Sequence, residues 1–150
     1  MSTSQRIANK VEGIAPPLPL FSPAIISNGF VYTSGQIGAG PDGELVKGPI
    51  TNRVLATHPN RSLIGRGDRM NQIMDNLNAV LKAHGTSLKH TVKFTIFITS
   101  YDTFAELNEA YSKRIPSPAP ARSCIGVASL PKGTDVEIEC VAVLPIKAKL

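Results

Sequence analysis

Charged residues make up only 18% of the chain, acidic residues number 11 against 16 Lys and Arg, and cysteine occurs twice. Each shortage excludes something. Cys124 and Cys140 both fall in apolar, strand-like sequence, with no CxxC or Cys/His spacing, so neither a zinc site nor a disulfide framework is expected. Reduced thiols in a cytosolic protein are the simplest reading. No apolar run approaches the ~20 residues that a membrane span needs. The start, MSTSQRIANKVEG, has no apolar stretch of the secretory kind. Its Arg and Ser are too few to favour a mitochondrial presequence, so the cytoplasm is expected, with the mitochondrion as the alternative. Aromatics amount to 5%. No dense Lys/Arg patch is interleaved with them, and a nucleic-acid partner is therefore unexpected despite the net charge of +5. Part of that excess lies in two segments that look peripheral, Arg53 to Arg69 and Lys147 to Lys149, and it reads as a solvated basic surface.

What is present suits one domain. A chain of 150 residues with 42% hydrophobic content buries a real core unaided. The chain opens with a stretch expected to be flexible over residues 1–15. Pro16, Pro17, Pro19 and Pro23 then exclude a helix and favour extended backbone. AIISNGFVYT reads as a hairpin about Asn28-Gly29, two residues that tolerate positive φ. GPDGELVKGP is loop with a turn at Asp42-Gly43. The stretch around residues 54–69 shows no sustained period and reads as a loop insertion.

RMNQIMDNLNAVLKAHG has helical spacing. Met70, Ile73, Met74, Leu77, Val80, Leu81 and His84 form its stripe, with Asp68 as N-cap and Gly85 as terminator. His84 in the last turn would favour the helix dipole. TVKFTIFITS alternates: Val92, Phe94, Ile96 and Ile98 face one way, and Lys93, Thr95, Phe97 and Thr99 the other. TFAELNEAYSKRI is a second helix, stripe Phe104, Leu107, Tyr111 and Ile115, with a Thr103/Glu106 capping box or a competing cap at Ser100 or Asp102. The last strands, ARSCIGVASL and DVEIECVAVL, read as a hairpin-like pair joined by PKGT. In the final one Val136, Ile138, Cys140, Ala142 and Leu144 share a face, opposite Glu137, Glu139, Val141 and Val143.

The expected fold is therefore α+β, ββαβαββ, a mixed sheet with two helices packed on one face. Phe97, Val141 and Val143 leave the other sheet face partly apolar. Cover by further copies of the same chain is the economical solution.

One residue resists this bland reading. Arg122 stands among small apolar residues at the head of a strand, and a guanidinium so placed must be paired, solvated or reserved for a ligand. From the residues alone, a scaffold ion pair with Glu137 or Glu139 remains open. So does a merely solvated strand face for the two glutamates, which point the same way and should raise one another's pKa.

VYTSGQI, NLNAVLKAHG, TVKFTIFIT, FAELNEAY, PARSCIGVASLPKG and VEIECVAV together resemble, in order and spacing, the RidA family of YjgF-like reactive intermediate deaminases. The resemblance runs from about residue 15 to 144, and PARS…LP…VEIE carries most of its specificity. It implies a chorismate-mutase-like fold, a homotrimer with clefts between subunits, and no metal or organic cofactor. The implied activity is hydrolysis of enamine/imine acids such as 2-aminoacrylate to a 2-keto acid and ammonia. Arg122 matches the residue that binds the substrate carboxylate, as a planar fork suits a carboxylate. Glu137 matches the residue that positions or activates water. Ser34, Gly35, Phe104 and Asn108 match site positions, and Cys124, two residues past Arg122, would line the cleft on the same side. Phe21 falls where many members have tyrosine, so the ring is kept and the hydroxyl lost. The 54–69 insertion is the second departure from the family pattern. A non-catalytic carboxylate-binding or chaperone-like member of the same fold is the alternative, as is a ribonuclease or translation inhibitor.

Overall fold

The computed structural model describes residues 5–6, 11–47 and 69–145. The insertion expected over residues 54–69, the Asp68 cap and the basic tail Lys147 to Lys149 lie outside the described residues, apart from Arg69.

The expected order ββαβαββ is present. It comprises β2 (Ala24–Ser27), β3 (Phe30–Thr33), α1 (Arg69–Ala83), β4 (Thr91–Ile98), α2 (Phe104–Ser112), β5 (Ala121–Gly126) and β6 (Val136–Val143), preceded by a two-residue edge strand β1 (Gln5–Arg6). The sheet runs β1-β2-β3-β6-β4-β5. All its pairings are antiparallel except β4 with β5. A parallel pair needs a crossover, and α2 is that crossover. β5 and β6 are thus not the hairpin read from the sequence: β4 lies between them. The helical run after β4 carries the chain past the sheet and returns β5 on the far side of β4.

The hairpin β2–β3 turns on Asn28 and Gly29, at φ 49° and 79°. Residues with little or no side-chain penalty in this region give the turn twist that matches the strands. Gly85, at φ 81°, stops α1 as expected. The neighbouring His84 is buried, and its Nδ1 donates to the Val80 carbonyl at 2.7 Å. It satisfies one of the carbonyls that a helix end leaves open.

The helices cover one sheet face. Met70, Ile73, Met74, Leu77, Val80 and Leu81 of α1 interlock with Phe94, Ile96 and Ile98 of β4 and with alternate residues of β6. Leu107 and Tyr111 of α2 complete this core, with Tyr111 edge-on to Phe94 at 5.6 Å between ring centres. Val11, within the N-terminal stretch expected to be flexible, is also buried in it, while Gln5 and Arg6 pair with Ile26 and Ile25.

Three local expectations are corrected. Val92 does not join Phe94 on the core face but is 41% exposed, because a bulge between Thr91 and Lys93 reverses the alternation there and turns Thr91 inward. The Thr103/Glu106 capping box does not form: Thr103 makes no side-chain cap bond, and Ser100 instead accepts from the Asp102 amide at 3.1 Å. A short 3₁₀ turn, Tyr101–Thr103, separates that cap from α2. Arg69 is not part of a solvated basic surface; it opens α1 and forms an ion pair with Asp135 in the turn before β6.

The other sheet face carries no helix. Phe30, Tyr32 and Ile125 are exposed there, beside Val141 and Val143.

Candidate active site

The eight residues singled out in the sequence fall into two groups on opposite sides of the sheet. Register decides this. Arg122 pairs with Phe94 and Cys124 with Ile96, both core-facing, so their side chains lie on the helix side. Glu137 pairs with Phe97, whose side chain lies on the open side.

The first group surrounds Arg122. Its guanidinium carbon sits 4.9 Å from the Tyr111 ring centre and 5.4 Å from that of Phe104, within cation–π range of both. Asn108 lies between those two aromatics on the same helix face, and its Oδ1 is buried without a hydrogen-bond partner among the described residues. The Tyr111 hydroxyl is in the same condition. Burial raises the pKa of Tyr111, and the Arg122 charge opposes that rise. Burial likewise raises that of the Cys124 thiol, again opposed by the Arg122 charge. Tyr101 closes this side, its hydroxyl donating to the Cys124 carbonyl at 2.9 Å. Gly126 lets that ring approach; a Cβ there would lie 3.1 Å from it. Among the described residues Arg122 has no carboxylate partner. The scaffold ion pair with Glu137 or Glu139 does not exist within the chain, because both glutamates project from the other face.

The second group surrounds Glu137, on the wall of a cavity of about 600 Å³ that Phe21, Ser34 and Gly35 also line. Gly35 is here for close approach. A Cβ at this position would lie 1.8 Å from Glu137 Oε1, so the carboxylate occupies the space a side chain would fill. Gln36 and Ile138 exchange backbone hydrogen bonds at 2.8 and 3.0 Å, which fixes the 34–36 loop against β6 beside Glu137. Ser34 donates through Oγ to the Ser22 carbonyl at 2.6 Å and through its amide to the Pro23 carbonyl at 2.9 Å. It therefore anchors the segment that carries Phe21. Burial first, and the neighbouring Glu139 charge second, raise the Glu137 pKa above the ordinary carboxylate range. That direction favours a group that must take up and return a proton near neutrality.

Asn76, Lys132 and Leu18 are among the lining residues that were not foreseen. Asn76 of α1 is buried, donates through Nδ2 to the Ile37 and Ala39 carbonyls at 3.1 and 2.9 Å, and accepts from Gln72. Its signal was in the sequence: it stands three residues after Ile73 and four before Val80, a polar residue on an apolar stripe. Lys132, in a left-handed conformation at φ 55°, reaches across to the Gly43 carbonyl at 2.6 Å. Leu18, on the rim, had no signal beyond its proline neighbours. Among the described residues no three His, Cys, Asp or Glu side chains are grouped as a metal ion would require.

The profile described as Endoribonuclease L-PSP matches residues 13–144. Among curated relatives, "Protein MMF1, mitochondrial" of Saccharomyces cerevisiae is 37% identical over 131 residues, 87% of this chain and 79% of its own. "2-Iminobutanoate/2-iminopropanoate deaminase" of Dermatophagoides farinae is 36% identical over 133 residues, 87% of this chain and 91% of its own. The crystal structure of yeast Mmf1 superposes with a TM-score of 0.79 at 34% identity, covering 95% of this chain and all of the other. Family profile, relatives and fold agree: the chain belongs to the endoribonuclease L-PSP family, the YjgF/RidA proteins.

Proposed function

We propose that the protein hydrolyses small 2-imino and enamine acids, such as 2-aminoacrylate, to 2-oxo acids and ammonia. In this reading each site forms between two copies of the chain, in a homotrimer, from the Arg122 group of one protomer and the Glu137 cavity of its neighbour. The observation that carries it is the separation of the two groups. Arg122 is held between aromatic rings with no carboxylate partner among the described residues, and Glu137, whose side chain projects from the other sheet face, lines a cavity. The exposed Phe30, Tyr32 and Ile125 give that open face an apolar surface for another copy to cover.

The chemistry follows from the groups. Arg122 binds the substrate carboxylate through its two-pronged fork and so fixes the adjacent C2. An enamine first takes a solvent proton at C3 and becomes the iminium, which an imine reaches by taking a proton at nitrogen. Water attacks C2 while Glu137 accepts its proton, and the C=N π pair moves to nitrogen. The tetrahedral aminoalcohol collapses as Glu137 returns the proton to the departing amine. C–N breaks, C=O forms as the hydroxyl proton passes to the freed Glu137 carboxylate, ammonia leaves, and Glu137 then returns that proton to solvent. No electron acceptor is involved.

The test is ammonia release from 2-aminoacrylate generated in situ, compared between the native protein and Arg122→Ala. Equal rates would remove Arg122 from the mechanism. Carboxylate binding without turnover is a second reading, favoured by Phe21, which lacks the hydroxyl many members carry. Binding of a 2-oxo acid with no ammonia released would select it. The ribonuclease reading draws on the family description alone, and it requires RNA cleavage that is lost on a site substitution. A mitochondrial site of action is proposed on the curated name of the yeast relative; the cytoplasm is the alternative. Among the described residues no helix is long and apolar enough to cross a membrane.

A further inference from the structure

The Glu137 cavity is larger and more apolar than a three-carbon imino acid requires. We infer that it receives the substrate side chain, and that the favoured substrates carry a branched aliphatic or aromatic group. This rests on the imine-hydrolase reading and names the class of substrate for that site.

Its volume, about 600 Å³, is within the range that encloses drug-sized molecules. Ile14, Pro17, Leu18, Phe21 and Ile37 supply much of the wall. Several polar groups on that wall already hold partners inside the protein. The Asn76 amide serves Ile37, Ala39 and Gln72. Ser34 is turned to Ser22, Lys132 to the Gly43 carbonyl, and Asp42 Oδ1 accepts from the Glu44 amide. Glu137, the Gln36 side-chain amide, the second Asp42 oxygen and the remaining Lys132 N–H donors are left to meet a ligand, against a lining that is mostly apolar. A polar side chain on the substrate would therefore meet few partners beyond them and would leave its own groups unsatisfied. An apolar one would cover Leu18 and Phe21, which are 64% and 45% exposed at the rim. Each methylene so buried adds about fourfold to binding. Three further carbons should therefore give at least about tenfold, even with partial burial.

The experiment is titration calorimetry of the intact protein with three 2-oxo acids, which are products and do not react: pyruvate, 4-methyl-2-oxopentanoate and phenylpyruvate. The two larger acids are expected to bind at least about tenfold more tightly than pyruvate, and Leu18→Ser to draw the ratio towards one. Leu18 is exposed on a loop, so this variant keeps the core intact. Equal or tighter binding of pyruvate, a ratio unmoved by Leu18→Ser, or no binding of any of the three overturns the inference. Ammonia release is followed in parallel with imino acids made from alanine, leucine and phenylalanine by an amino-acid oxidase. Side-chain preference in binding without ammonia from any imino acid removes the hydrolase reading and leaves the pocket assignment standing. Turnover with no preference for bulk does the reverse.

Discussion

Arg122 and Glu137 project from opposite faces of the same sheet, on strands separated by β4. No rotamer of either brings them together within one chain. If both act on one substrate, they must come from different chains, and that is open to a direct trial. Homo-oligomers of Arg122→Ala and of Glu137→Gln should each be inactive. Co-expressing the two chains should restore activity at about a quarter of the sites, since some interfaces then carry both native groups. Mixed oligomers verified by mass but silent in the ammonia assay would show that both groups must belong to one chain.

Gly35 offers a test that touches no functional side chain. Gly35→Ala places a methyl group where the Glu137 carboxylate now lies. The carboxylate has to move, and a displacement of about 1 Å in a reacting group costs on the order of a hundredfold in turnover. The expected result is a fall in kcat of that order with an unchanged circular dichroism spectrum. Adding Glu137→Asp, which withdraws the carboxylate by one methylene, should recover part of the loss. Full activity in Gly35→Ala would mean that the position of Glu137 is unimportant.

The raised pKa of Glu137 has consequences of definite sign. Its carboxylate form is disfavoured in the folded state by burial and by Glu139. Below the ordinary carboxylate range the group is protonated whether folded or not, and it costs the fold nothing. The penalty grows as pH rises from that range through the raised folded value, and is constant above it. Glu137→Gln should therefore stabilise the protein in urea at pH 7 and not at low pH. Activity that uses the carboxylate should fall as pH drops through the raised value. Glu139→Gln removes the neighbouring charge and should move that acid limb to lower pH. A limb that stays put, or moves up, would assign it to another group.

Asn76→Ala leaves the Ile37 and Ala39 carbonyls without their buried donor. Removing one partner of a buried hydrogen bond costs about 1–3 kcal/mol, which should appear as a lower urea midpoint. Because the loop it holds continues from Gly35 and Gln36, kcat should also fall. Asn76→Asp keeps the bond from Gln72 but turns a repelling oxygen towards the carbonyls, and should be no better than Ala. Unchanged stability would show that the loop is held by other contacts.

Much of this was legible before any coordinates. Helical and alternating periods mark α1, α2, β4 and β6, because each buries one face. The Asn28-Gly29 turn was readable because positive φ selects those residue types. The parallel placement of β5 was not. A short strand after a helix pairs wherever the crossover delivers it, and the PKGT link resembled a hairpin turn. Val92 was misplaced because a bulge breaks a period without a local residue to announce it. The candidate site residues were chosen through motif resemblance, but their division between two faces emerges from register alone. Arg122 and Glu137 each had a plausible partner in the other until Phe94 and Phe97 showed which way they point. Asn76 was overlooked because a helix-stripe asparagine resembles a surface one until its carbonyl partners, 37 and 39 residues away, are in place.

The aromatic bracket around Arg122 affects more than its electrostatics. A free arginine side chain gives up roughly 2 kcal/mol of rotational freedom when it is immobilised. Phe104 and Tyr111 already restrict that motion. Capturing an anion then requires little further ordering, and more of the contact energy is available as affinity. A lysine in this slot would keep the charge and lose the flat plate that the rings clasp. It would have to be stilled anew with every substrate.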